Sequence, residues 1–236
     1  MDALRGIGLI ARTPRLWPLC LGPLIGIFAL YVLLGIIGGL LLVPRLETWL
    51  SALPNSGTYL IAIEIVALLL WLVLFPFLFV LLGGVLFGLV FEPLSRAAEE
   101  IVLGRDAVNR VDAAPSLTKG QLFRDTAARL ALNGTLALGA FLFGFVLGPI
   151  PGILAAATIG LLDYTSPAYL RRGVTLPAQS RQLFFQRPNA ATFTFGLVAG
   201  LLSLIPVVGV LLMPGLVAGG TLLVLRRESE TTRPAS

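Results

Sequence analysis

The chain has 236 residues, of which 57% are hydrophobic and 12% charged, and its mean hydropathy is +0.94. That balance is far from soluble usage and indicates a one-domain integral membrane protein. Histidine is absent and Cys20 is the single cysteine, which excludes intrachain disulfides, Ser-His-Asp and Cys-His chemistry, and histidine-based zinc sites.

An enzyme would have to work with carboxylates, arginine or one thiol, so no enzymatic activity, cofactor or metal is expected. The formal net charge is +5, and every basic residue except Lys119 is arginine. In so apolar a chain this excess points to membrane orientation and anionic headgroups, and not to nucleic acid.

Residues 1–15 carry Arg5, Arg12 and Arg15, while Leu4, Ile7 and Ile10 recur at helical spacing. The pattern predicts a short amphipathic helix on the membrane surface. The apolar stretch that follows runs to Val43, longer than the roughly 7–15 residues of a signal-peptide core, so no cleavage is expected. Residues 23–43 form the first predicted span, about 31 Å of helix against a hydrocarbon core of about 30 Å. Pro23 suits the first turn, and Pro44 with the polar loop 45–57 ends the span. Trp49 and Tyr59 flank that loop as interfacial aromatics do.

Residues 59–91 are apolar and would extend about 50 Å as one helix. A single span kinked at Pro76 is the favoured reading, with a pair of re-entrant halves as the alternative. Glu64 is the only charge in this stretch. An ionisable group inside a span marks function; at the entry end, Glu64 can instead reach headgroup water and Arg45. Residues 92–130 hold six positive and six negative side chains. They predict two amphipathic helices broken around Ala114-Pro115-Ser116, the second capped by Ser116 or Thr118. A solvated, salt-bridged surface fits this stretch better than an active site.

Two apolar stretches follow, each interrupted. Residues 130–162 break at Pro149, Pro151 and Gly152; residues 191–225 break at Pro206 and Gly209. Each limb of the second is about 24 Å long, and Gly152–Leu162 is only about 16 Å, so both stretches predict helical hairpins that enter the membrane and return. Non-helical backbone at that depth must be buried in protein or line a wet cavity. The pattern F-x-F-G-x-V-x-G occurs at 141–148 and again at 193–200. Paired broken segments point to a transporter site; chance recurrence of two residues common in membrane helices is the other reading. Small-residue pairs such as Gly196/Gly200 and Gly215/Gly219 mark close helix packing.

Asp163-Tyr164 closes the first hairpin. A loop over 163–190 carries Arg171, Arg172, Arg181 and Arg187 against one acid, and residues 226–236 read as a flexible, disordered tail. The basic residues fall almost wholly in the N-terminal arm, 92–130, 163–190 and the tail. Two spans and two returning hairpins put all four on one side, and the positive-inside rule makes that side, with both termini, cytoplasmic. Two further pairs of full spans give the same parity.

Several segments resemble one family. Ile205-Pro206, together with Met213-Pro214-Gly-Leu-Val-Ala-Gly-Gly-Thr221, is similar to the closing segment of the CysZ and etoposide-induced-protein family. Asp163-Tyr164 resembles its D-Y-P element, with Thr165 in place of proline, and residues 91–101 resemble the segment after its second span. The resemblance implies an all-α membrane protein with two long transmembrane helices, two re-entrant (hemi-penetrating) hairpins, cytoplasmic amphipathic helices and homo-oligomeric assembly. It also implies a bacterial inner-membrane sulfate permease, although eukaryotic relatives have other roles. The family's G-L-R element near the first span is altered here to Thr13-Pro-Arg-Leu-Trp-Pro18.

The expectation is therefore a permease or channel for sulfate or another small anion, with membrane lipids and further copies of the chain as partners. Arg12, Arg15 and Leu16, with Arg171 and Arg172, are the candidate substrate-binding residues. Guanidinium forks and helix N-termini both suit a sulfate ion. Glu64, Asp163, Tyr164, Pro149, Pro151, Gly152, Pro206 and Gly209 are candidates for a path or for structure. The alternative is a non-transporting protein that shapes the bilayer or scaffolds partners.

Overall fold

The computed structural model describes residues 2–50, 65, 91–113, 117–186, 189–203 and 205–232. All regular structure among them is helical. In chain order the helices are α1 (Asp2–Arg12), α2 (Trp17–Leu50), α3 (Glu92–Leu103), α4 (Arg105–Asp112), α5 (Lys119–Leu147), α6 (Ile150–Arg171), α7 (Leu176–Ser180), α8 (Ala190–Ser203) and α9 (Pro206–Thr232). A 3-10 turn at Pro14–Leu16 precedes α2, and a π-turn at Arg181–Gln186 follows α7. The predicted second span at 59–91, including Glu64, lies outside the described residues but for Ile65 and Phe91.

The core is built where glycines let backbones touch. On Gly6 of α1, a Cβ would stand 2.2 Å from the Gly219 nitrogen and 2.3 Å from the Gly215 oxygen of α9. Ile7 packs on Gly215. The face of α1 that carries Ala3 and Gly6 is thus covered by α9, while Leu4 stays exposed. The reason is a small-residue groove on α9 that the helix fits backbone to backbone. The same device joins α6 to α8, with Gly160 against Gly200 and Gly196 against Ala157. Gly220 meets the Tyr164 carbonyl, joining α6 to α9. Leu161, Leu162, Phe195, Ala199, Met213, Leu216 and Val217 fill the space between these contacts, each almost fully buried.

Helix boundaries follow local chemistry. Thr118 caps α5 as expected: its hydroxyl accepts from the Gln121 N–H, and the Gln121 side chain accepts from the Thr118 N–H. This is a capping box. The charged stretch before it has an earlier break than the sequence predicts, at Gly104, whose φ of 82° suits glycine. Residues 114–116 lie outside the described residues.

Two helix pairs replace the two interrupted stretches. Helices α5 and α6 pack together across a break at Gly148–Pro149, with Gly148 at φ 66°. Helices α8 and α9 pack together across the break before Pro206. Both are longer than predicted. Helix α6 has 22 residues, about 33 Å, and does not stop at Leu162. Residues 163–171, expected as loop, are its buried second half, with Pro167 inside it. Helix α9 likewise continues through Thr232, past the start of the predicted disordered tail. Both extensions are held by ion pairs, so burial and charge pairing override the local signals.

The two F-x-F-G-x-V-x-G segments occupy unlike places. Phe141 and its counterpart Phe193 are both exposed, but Phe143 is exposed at the end of α5 where its counterpart Phe195 is buried in α8. Gly144 has open space beside it, while Gly196 and Gly200 touch α6. The shared pattern therefore does not mark equivalent sites.

Candidate functional site

Six charged side chains from four helices form one alternating chain at the end of α6. Arg96 on α3 pairs with Asp112 on α4 at 2.7 Å. Asp112 pairs with Arg171 on α6 at 2.7 Å. Arg171 reaches Glu99 on α3 at 2.8 Å, and the other oxygen of Glu99 takes Arg172 at 2.7 Å. Arg172 then donates to both oxygens of Glu228 on α9. Three cations and three anions cancel.

The chain is anchored in the interior, since Glu99 is fully buried and Arg171 nearly so. Its outer members are wetter. Partial burial pushes the Asp112 carboxyl up, but hydrogen bonds from Arg96 and Arg171 outweigh it and hold the group below the usual carboxylate range. Burial opposes charge on Arg172, yet Glu228 and Glu99 more than offset that and raise its pKa above the ordinary guanidinium value.

A second polar cluster runs along α5. Asp125, Arg129 and Asn133 repeat at every fourth residue, so they share one face, and all three are buried. Arg129 donates to Asp125 at 2.8 Å and to the side-chain Oε1 of Gln179 at 2.7 Å. The Gln179 amide donates onward to the Leu162 carbonyl and the Thr165 hydroxyl. Asp125 also accepts from the Leu176 N–H, which fixes the start of α7. One turn deeper, Asn133 donates to Asp163 at 2.9 Å. Next to it, the Tyr164 hydroxyl and Ser203 of α8 are 2.7 Å apart.

The predicted site residues therefore fall into separate places. Arg171 and Arg172 are committed to carboxylates. Asp163 and Tyr164 sit in the middle of α6, tied to α5 and α8. Arg12, at the last turn of α1, and Arg15, in the 3-10 turn, are exposed, while Leu16 is buried. Trp17, which follows Leu16, donates its indole N–H to the Ile10 carbonyl at 3.1 Å and so closes the turn. Pro149 is exposed at the break between α5 and α6, and Pro151 and Gly152 form the first turn of α6. Pro206 opens α9, and a Cβ on Gly209 would stand 3.0 Å from the Ser203 Cα, so this turn is tight.

Sequence reasoning missed Glu99, Asp125, Arg129 and Gln179 as buried groups. For Glu99 and Gln179 no local signal stood out from their polar neighbours. For Asp125-Arg129-Asn133 one did: a polar stripe at four-residue spacing leading into an apolar helix indicates a buried hydrogen-bonded face.

At the other end of α5 lies an apolar surface. Phe141, Leu142, Phe143, Phe145, Val146 and Leu147 are exposed, with Phe145 and Val146 about four-fifths so. By length and composition α5 is long and apolar enough to cross a membrane. No group of His, Cys, Asp and Glu able to hold a metal occurs among the described residues.

An all-helical bundle with a neutral, interior charge chain at one end and bare apolar helix ends at the other has the character of a membrane protein. The sequence matches the sulfate transporter CysZ/etoposide-induced protein 2.4 family over residues 2–214. The chain belongs to that family, which is transporter-like rather than enzymatic. No curated protein matches the chain.

Proposed function

We propose that this protein is a permease or channel for sulfate or another small anion in the bacterial inner membrane, working as a homo-oligomer with both termini cytoplasmic. The observation that carries the reading is family membership over residues 2–214. The interrupted helix pairs agree with it, because broken helices place N-terminal N–H groups where an anion can use them. In this reading α5–α6 and α8–α9 enter the bilayer and return, and copies of the chain enclose the path between them.

The free guanidinium groups select the anion. Arg171 and Arg172 are neutralised by Glu99, Asp112 and Glu228, so they serve the scaffold in this reading. Arg15 stays exposed within the altered family element and is the arginine best placed to meet an incoming ion. The ion then passes the breaks at Pro149–Gly152 and Pro206–Gly209.

The test is sulfate flux into proteoliposomes holding the purified protein, beside Arg15→Ala and empty vesicles. Saturable flux that falls at least tenfold in the variant is expected. Sulfate entry no faster than into empty vesicles, from an intact oligomer, overturns the reading. It would leave a bilayer-shaping role, for which the exposed apolar end of α5 is the supporting feature: a hairpin that fills one leaflet acts as a wedge.

A further inference from the structure

The outer face of α1 carries a groove of about 580 Å³ that neither the charge chain nor the helix breaks reach. Its apolar floor is Leu4 and Leu9 of α1, Val102 of α3 and Leu222 of α9. Arg5 and Arg12 line it as well. They are seven residues, or two helical turns, apart and so lie on the same face.

Arg5 is available to a ligand. Its side chain is 69% exposed, and Asp2, 3.8 Å away, is already paired with Arg226 at 2.8 Å. Arg12 is exposed at the end of the helix. Between the two arginines lies Gly8, and a Cβ there would meet nothing within 4 Å. The helix backbone is therefore bare at the midpoint of the groove. Beside the floor, Ile101, Val102 and Leu103 are each about half exposed, as is Leu4.

We infer that this groove binds one anionic glycerophospholipid, its phosphate held between Arg5 and Arg12, its glycerol over Gly8 and an acyl chain on Leu4, Leu9, Val102 and Leu222. The chemistry is complementary at both ends. Guanidinium groups bind phosphate oxygens through charge-assisted hydrogen bonds, and basic pockets beside membrane helices take acidic headgroups. A free inorganic anion would use the arginines but leave the apolar floor bare. A zwitterionic lipid would cover the floor but bring its own cation to the arginines. The inference does not rest on the transport reading, and it gives Arg12 a role apart from selecting the transported ion.

Native mass spectrometry of the full-length protein in micelles containing equal phosphatidylglycerol and phosphatidylcholine tests it. The wild type should retain one phosphatidylglycerol per protomer in preference to phosphatidylcholine. Arg5→Gln with Arg12→Gln should weaken retention roughly tenfold or more, the loss of two charged hydrogen-bond donors. Gly8→Leu, which leaves both arginines in place and fills the groove, should abolish it. Gly22→Leu on α2 adds the same bulk where a Cβ also meets open space, and should retain the lipid. Phosphatidylglycerol held equally by all variants overturns the site. Phosphatidylcholine held as well as phosphatidylglycerol overturns the acidic-lipid assignment. Displacement of the lipid by inorganic phosphate at matching concentration identifies a plain anion site and overturns the inference as well.

Discussion

The side chains of Glu99 and Arg171 meet at 2.8 Å although 72 residues separate them, and neither is exposed by more than 2%. Glu99 also holds Arg172 through its second oxygen, so one carboxylate joins α3 to both arginines that end α6. Breaking a buried pair from one side leaves a bare charge and costs about 3–5 kcal/mol, whereas replacing both partners by apolar groups is often near neutral. Glu99→Ala should therefore lower the thermal midpoint in detergent more than Arg171→Ala, since it takes the most buried partner from two cations and leaves Arg171 only Asp112 and Arg172 only Glu228 as carboxylate partners. The double variant Glu99→Leu with Arg171→Met should lose less than the sum of the single changes. Strict additivity would mean that the pair is not coupled.

Acid should loosen the outer part of the same chain. The Asp112 carboxyl is held below its ordinary value of 3.8 in the folded protein. A depressed folded pKa contributes stability above the unfolded pKa and loses it as pH falls through the folded one. The contribution is thus complete at neutral pH, begins to fall as pH drops past about 3.8, and is lost as pH falls through the lower folded value. Unfolding midpoints followed from pH 7 to 3 should drop at the acid end. Asp112→Asn should lie lower at pH 7 and show a shallower acid limb. An unchanged limb in the variant would assign the acid sensitivity to other carboxylates.

Two glycines on α1 should behave oppositely. An added Cβ on Gly6 would collide with the α9 backbone, while one on Gly8 meets open space. Overpacking a close contact costs about 1–3 kcal/mol. Gly6→Ala should free α1 and speed trypsin cleavage at Arg5 and Arg12; Gly8→Ala should leave cleavage unchanged. Equal rates would show that α1 does not depend on backbone contact.

Tyr164→Phe removes the hydroxyl that faces Ser203 at 2.7 Å. Ser203 keeps its bond to the Ala199 carbonyl, and losing its bond to Tyr164 costs about 1 kcal/mol. The loss should show as a small shift of the midpoint with the fold intact.

The depth of the α5–α6 break is read by labelling. Cys20 is buried, and Cys20→Ser removes it. Gly152 has open space for a side chain. Gly152→Cys in that background should resist an impermeant maleimide supplied from the side opposite the N-terminus. Ready labelling from that side would make α5 and α6 two full crossings.

The periodicity of Leu4, Ile7 and Ile10 was enough to place α1, and Thr118 with Gln121 was enough to place the start of α5. What α1 lies against was not legible, because its partner is a glycine groove more than 200 residues away in the chain. The end of α6 was hidden for a related reason. Asp163, Pro167, Arg171 and Arg172 read locally as loop chemistry, and Asn133, Glu99, Asp112 and Glu228, supplied by four other helices, pair with the charged ones where α6 is buried. Of the candidate site, the arginines were visible as residue types. Which of them are neutralised depends on tertiary pairing and on nothing within reach of a sequence window.

The contact between Gly6 and Gly215 sets an order of events during synthesis. The ribosome extends a chain at about 5–20 residues per second, so the groove that receives α1 emerges roughly 10–40 s after α1 does. Throughout that interval α1 lacks the groove in which it docks. Its leucines and isoleucines must be shielded by lipid or by the insertion machinery, and its seating reports that α9 has been made and correctly placed.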